Sequence, residues 1–351
     1  MFDDLLAGRV ASVVVRSQPW QAGAVMPHGT VREPSRNRNR SSLMPLHPQA
    51  ARLLAAAAEG PALDFSSMTA DAFRKMFTPP QGAEKKSVAH VVDRTIVGGD
   101  NGIPVRLYYP KLGEPLPVTL YVHGGGFVIG DIDMTDGVCR SLAQSSGSVV
   151  VSVGYRLAPE TPFPGGLEDC AAVLDWVTAH AAEIGVRANR VAVAGDSSGA
   201  NFAAVLAQRS RRVGPRLCHQ LLFYPVLDAA QDTPSYREYA DGYLLTSAMM
   251  RWYWEQYLPD ERDRDDVRAA PARQRALRGV PSATIHVAEY DVLRSEAEQY
   301  AAALLAAGVD VRFTRWLGQI HGFLLQLGVN PEADRAIVRA GESLRAAFTA
   351  A

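Results

Sequence analysis

In Gly195-Asp196-Ser197-Ser198-Gly199 a serine stands between two glycines, where an apolar run, Val191 to Ala194, gives way to a helix-forming stretch, Asn201 to Arg211. A backbone that passes from strand to helix within one residue strains that residue and brings the two elements so close that flanking side chains would clash. The G-x-S-x-G spacing therefore asks for a strand-turn-helix unit with Ser197 at the tip of the turn. That requirement points to a sheet whose strands run into helices.

The rest of the chain can supply such a sheet. Short apolar, β-branched stretches occur at Val88 to Ile96, Val105 to Tyr109, Val118 to Val122, Ser148 to Val153, Arg190 to Ala194, Gln220 to Tyr224, Ala283 to Ala288 and Val311 to Trp316. Most of the later ones are continuous apolar runs separated by helix-like segments, as in strands buried on both faces of a parallel sheet. The expected class is α/β, doubly wound. Two helices precede the first strand: Gln49 to Glu59, between Pro48 and Gly60, and a shorter one through Phe77 that Thr69 can cap. Between Tyr224 and Ala283 the rhythm breaks, because about 60 residues are too many for a plain crossover and imply an insertion. Within it Thr246 or Ser247 can cap a helix on which Met250, Tyr253, Trp254 and Tyr257 share a face. The charged run Asp260 to Arg268 reads as a solvated return loop.

Residues 1 to 43 carry Arg32, Arg36, Arg38 and Arg40 in a polar stretch without an apolar period, and read as a disordered extension to a folded domain over 44–351. The chain has 351 residues, 47% of them apolar, and a formal charge of -1. Its charges are interspersed after the first stretch, which argues against nucleic acid or an anionic membrane as partner and leaves a small molecule. Cys139, Cys170 and Cys218 are odd in number and outside any metal-ligand pattern, so they read as buried free thiols in a reducing compartment. No apolar stretch approaches the roughly 18 residues of a membrane span and no leader is evident. The expected location is the cytoplasm, with no metal and no cofactor.

A serine hydroxyl needs a positioned base to attack at neutral pH, and the base needs an acid that fixes its tautomer. Behind an elbow of this type the order along the chain is serine, acid, histidine. His219 and His286 lie beside or inside apolar runs and read as structural. His321 follows the last strand on a glycine-flanked loop, at the strand end where α/β sheets place their chemistry. Glu289 and Asp291 both follow the strand Ala283 to Ala288. A capping box in Ser295-x-x-Glu298 would leave Asp291 free, so Asp291 is the expected acid and Glu289 a partner of loop backbone. Before all of these, His123-Gly124-Gly125-Gly126 follows the strand Val118 to Val122. Glycines there let N–H groups approach a substrate oxygen, so two of them with the Ser198 N–H can form an oxyanion hole, His123 shaping the loop. The stripe Tyr253, Trp254 and Tyr257, with Phe127, can wall an acyl pocket.

His123 to Phe127, Tyr155-Arg156-Leu157-Ala158-Pro159-Glu160, Pro162-Phe163-Pro164 leading to Glu168-Asp169, Gly195 to Gly199, Asp291-Val292-Leu293-Arg294 and His321-Gly322-Phe323 together resemble the hormone-sensitive-lipase-like branch of the α/β-hydrolases. The resemblance runs from Met44 to the C-terminus. It implies the α/β-hydrolase fold, with an eight-stranded, mostly parallel sheet whose second strand is antiparallel, and a helical cap built from 44–85 and 229–270. It also implies cofactor-free hydrolysis of short to medium acyl carboxylic esters by Ser197, His321 and Asp291. Oxyanion donors would be Gly125, Gly126 and Ser198, with Gly124 a further candidate, and Phe127, Tyr253 and Trp254 would contact substrate. The family's usual alanine after the nucleophile is Ser198 here, and its usual proline after the acid is Val292. The same triad would also serve an amidase or N-deacetylase, and a non-catalytic ligand receptor on this fold is the reading from another class. The last strand, Val311 to Trp316, would be a sheet edge through which a homodimer can form.

Overall fold

The computed structural model describes residues 11–13, 45–60, 63–76, 85–99 and 101–351. Its strands are β1 (Ala11–Val13), β2 (His90–Ile96), β3 (Ile103–Tyr109), β4 (Leu116–Val122), β5 (Val149–Val153), β6 (Val186–Asp196), β7 (His219–Phe223), β8 (Ser282–Tyr290) and β9 (Val311–Ile320). Its helices are α1 (Pro48–Ala58), α2 (Ala70–Met76), α3 (Asp136–Ser146), α4 (Gly165–Ala179), α5 (Ser198–Arg209), α6 (Pro234–Glu238), α7 (Ser247–Tyr257), α8 (Arg294–Ala306) and α9 (Pro331–Ala350).

All eight stretches read as strands from the sequence are strands, β2 to β9. They lie side by side in the order β9-β8-β7-β6-β4-β5-β3-β2. From β9 through β5 every neighbouring pair is parallel, whereas β3 runs antiparallel to both β5 and β2. Because side chains alternate along a strand, a central strand feeds two cores. Val118, Leu120 and Val122 of β4 face the layer containing α4, α5 and α8, while Tyr121 faces α3 and α9. That alternation makes the runs continuously apolar in sequence.

Two expectations about the chain ends change. The stretch 1–43 lies outside the described residues except for β1, which is a strand, not an unstructured segment. It pairs antiparallel with the last strand, Ala11 opposite Arg315 and Val13 opposite Phe313. The chain's own backbone therefore takes up the hydrogen-bonding groups of Val311–Ile320 over that length, and this part is not the free edge that a second subunit would need. Cys139 and Cys170 are buried and Cys218 is half-buried, all unpaired. No helix among the described residues is long and apolar enough to cross a membrane.

The helices outside the sheet meet above the ends of the strands. Thr246 caps α7 by accepting from the Met249 N–H at 3.1 Å, and Thr69 accepts from the Ala72 N–H of α2 at 3.2 Å. Trp252 of α7 packs on Phe73 of α2 with ring centres 5.2 Å apart and donates its indole N–H to the Met68 carbonyl at 3.0 Å. Residues far apart in sequence thus form one wall over the strand ends.

Candidate active site

The elbow forms as its glycines require. Ser197 sits at φ 53° and ψ −120°, in the left-handed region that a residue with a side chain adopts only under constraint. A Cβ on Gly199 would stand 2.0 Å from the Val122 carbonyl oxygen, and one on Gly195 would stand 2.5 Å from the Gly199 carbonyl carbon. Strand and helix approach this closely because neither position carries a side chain. The Ser197 N–H donates to the Phe223 carbonyl at 2.9 Å, which holds the turn to the neighbouring strand.

Three side chains from separate strand ends meet there. His321 Nε2 lies 3.0 Å from Ser197 Oγ, and His321 Nδ1 lies 2.8 Å from Asp291 Oδ2. The other Asp291 oxygen accepts from the Leu293 N–H at 2.9 Å, so the carboxylate is held from its own loop while it holds the imidazole. Tyr224 packs against the histidine ring with centres 4.6 Å apart. The proposed capping box does not form. Ser295 Oγ accepts from the Ser235 N–H at 3.2 Å, and Glu298 pairs with Arg315, so the local argument for the freedom of Asp291 fails, although Asp291 is the carboxylate that meets His321. Glu289 accepts from the Gly318 N–H at 2.7 Å and fastens loop backbone, as its position suggested.

The glycine loop divides its donors. The Gly124 N–H is taken by Asp196 Oδ1 at 3.0 Å, which removes Gly124 from the oxyanion candidates. Tyr121 donates its hydroxyl to the same oxygen at 2.8 Å. No hydrogen bond to another described residue takes up the N–H of Gly125, Gly126 or Ser198. Burial pushes the Asp196 carboxyl up to about 6, against the pull of those two donors. Asp196 and Tyr121 also stand at the site, where the motifs alone did not place them; the available signal was a carboxylate beside the serine and a polar-tipped side chain in the otherwise apolar end of β4. His123 stacks on Tyr155 at 4.3 Å and its Nδ1 meets the Gly124 carbonyl at 2.7 Å, so it shapes the loop and makes no contact with Ser197. Burial lowers it to about 4. His219 and His286 are buried within the sheet, the first between Ser282 and Thr284 hydroxyls and the second accepting from the Trp316 indole.

A cavity of about 1050 Å³ opens onto Ser197 and His321. Its walls include Leu53 and Leu54 of α1, Phe73 of α2, and Met249 and Tyr253 of α7. The aromatic face read from the sequence divides here. Tyr253 lines the cavity and lies against Gly126. Phe127 and Trp254 do not line it: they are 1% and 0% exposed, Phe127 stacks on Tyr257 at 3.9 Å, and their rings serve the core beneath. Helical periodicity identifies an apolar face without saying which part of it meets a void. The described residues contain no cluster of side chains able to hold a metal ion.

This fold and constellation have known counterparts. The sequence profile of the alpha/beta hydrolase fold family matches residues 119–325. The chain is 41% identical over 263 residues to Esterase LipI of Mycobacterium tuberculosis, covering 73% of this chain and 81% of that protein. It is 40% identical over 283 residues to Carboxylesterase NlhH of the same species, covering 79% and 88%. Among solved structures, a thermostable esterase from Pseudomonas putida superimposes with a TM-score of 0.82 at 36% identity, over 88% of this chain and 99% of that one. The chain belongs to the α/β-hydrolase family, in its hormone-sensitive-lipase-like branch, and is a carboxylic ester hydrolase.

Proposed function

We propose that the protein is a serine esterase acting on short to medium acyl carboxylic esters through Ser197, His321 and Asp291. The observation that carries this reading is the unbroken hydrogen-bond chain from Ser197 Oγ through both ring nitrogens of His321 to Asp291, on the floor of an apolar cavity. A carboxylate only accepts, so Asp291 keeps the proton on Nδ1 and leaves Nε2 as the acceptor for the serine proton. Ser197 attacks the ester carbonyl as His321 takes that proton, and the oxygen becomes an oxyanion facing the N–H groups of Gly125, Gly126 and Ser198. Each such donor is worth about 3 kcal/mol in the transition state. His321 then protonates the leaving alcohol, and water deacylates the enzyme by the same route.

The apolar side chains that dominate the lining support an apolar acyl group, and its short to medium length is what the family resemblance implies. The described parts of 44–85 and 229–270 act together as the cap, with Tyr253 the substrate contact among the three aromatics considered. Free cysteines favour a reducing compartment, the cytoplasm. A homodimer through the last strand would have to use backbone outside the β1 pairing. Ser197→Ala is expected to lower kcat on the order of 10⁶-fold with the fold intact by circular dichroism. Near-full activity in that variant, or fluorophosphonate labelling at another residue, would refute the assignment.

A further inference from the structure

Helix α2 works in two directions. Phe73 and Met76 line the cavity, while Arg74 between them reaches two loops of the sheet domain. Its Nε donates to the Val128 carbonyl at 2.8 Å, one terminal nitrogen donates to the Ala158 carbonyl at 2.8 Å, and the two terminal nitrogens hold the Glu160 carboxylate at 2.7 and 2.8 Å. A planar guanidinium has enough donors, in a fixed fork, to meet acceptors on two loops at once, which an ammonium on a flexible stem does not.

Both loops lead to the glycines. The N–H groups of Val128 and Ile129 donate to the Gly125 carbonyl at 3.1 and 2.9 Å, closing 125–129 into one tight turn. The Ala158 N–H donates to the Phe127 carbonyl at 2.9 Å, which fastens the second loop to the same turn. Arg74 therefore grips the far end of the turn whose near end carries the N–H groups of Gly125 and Gly126. The Glu160 carboxylate is 62% exposed, so its ion pair is screened and the two carbonyl contacts bear most of the positional load.

Resting on the reading of Ser197 as nucleophile and of Gly125 and Gly126 as oxyanion donors, we propose that Arg74 is a positioning residue, which ties the cavity wall to the oxyanion turn and sets where its donors stand. It touches no reacting atom. The test uses Arg74→Lys and Arg74→Ala in the full chain, with p-nitrophenyl acetate and octanoate as substrates and active sites counted by fluorophosphonate titration. Displacing the donors by a fraction of an ångström to one ångström should lower kcat per titrated site roughly 10- to 100-fold for both esters. The acetyl ester must be included, because its small acyl group gains least from the wall. Glu160→Gln, which leaves both carbonyl contacts, should stay within about threefold of wild type. An unchanged kcat per titrated site in both Arg74 variants, with KM raised for octanoate alone, would overturn the proposal and leave Arg74 as a wall anchor. Partial unfolding reduces the number of titrated sites and not the rate of each, so it does not mimic the expected result. Failure of the underlying reading looks different: the wild-type chain would itself not be labelled at Ser197.

Discussion

Gly126→Ala tests how closely the turn over 125–129 and the cavity wall are fitted to each other. A Cβ at Gly126 would lie 2.3 Å from Tyr253 Cδ1 and 2.4 Å from Cγ and Cε1, whereas ordinary contact begins at 3.4 Å, so the two must separate by 3.4 − 2.3 = 1.1 Å. The ring cannot clear the contact by rotating alone, because its Cγ, next to the helix backbone, is itself among the crowded atoms, and Phe73 packs against the ring with centres 5.9 Å apart. The turn has to move instead, and its φ of 59° adds about 1 kcal/mol of strain for alanine. A displacement of about 1 Å at a reacting centre costs on the order of 100-fold in rate. kcat on p-nitrophenyl acetate, per titrated site, should fall by that factor. Tyr253→Ala in the same chain removes the collision, so the double variant should recover about 10-fold or more, a coupling on the order of 1–3 kcal/mol when all four corners of the cycle are measured. Additive effects, or a single alanine variant within about threefold of wild type, would refute the steric account.

Acid should weaken the fold through buried imidazoles. His123 is lowered to about 4, and His219 and His286 to about 3, each by burial of its charged form. Their folded values lie below the unfolded value of about 6.5, so this stability is present above that pH and is lost as pH falls toward the folded values, by up to about 1.4 kcal/mol per pH unit for each. Asp196, raised to about 6, and Glu296, raised well above its usual range, act the other way as pH falls, offsetting at most two of the three protons. The urea midpoint should therefore drop between pH 6.5 and 4.5, and a rise would contradict the sign. Trp254→Ala should lower unfolding free energy by about 3–5 kcal/mol without an acyl-length-dependent change in KM. The reverse pattern, with stability kept and KM rising with chain length, would return Trp254 to the substrate wall.

The elbow was legible because Gly195 and Gly199 answer to a steric demand within five consecutive positions. The loops that carry His321 and Asp291 were legible because strand order and chain order fix which loops follow which strands, but the choice of Asp291 over Glu289 rested on a capping box that does not form. The capping box at Ser295 failed because Ser235, sixty positions away, competes for the same hydroxyl. The glycine pattern by itself does not separate Gly124 from Gly125 and Gly126, yet the Gly124 donor is spent on Asp196 across the strand end.

The sequence by itself determined the eight strands, the turn at Ser197 and the loops on which His321 and Asp291 stand, since apolar period, glycine spacing and chain order are properties of short stretches and their succession. The tertiary structure alone decided which N–H groups remain open, that Asp291 and not Glu289 meets His321, which of Phe127, Tyr253 and Trp254 meets the cavity, and that Arg74 spans from α2 to the turn over 125–129. These are choices of partner. A hydrogen-bond donor or an apolar ring is encoded without an address, and only packing of distant segments supplies one.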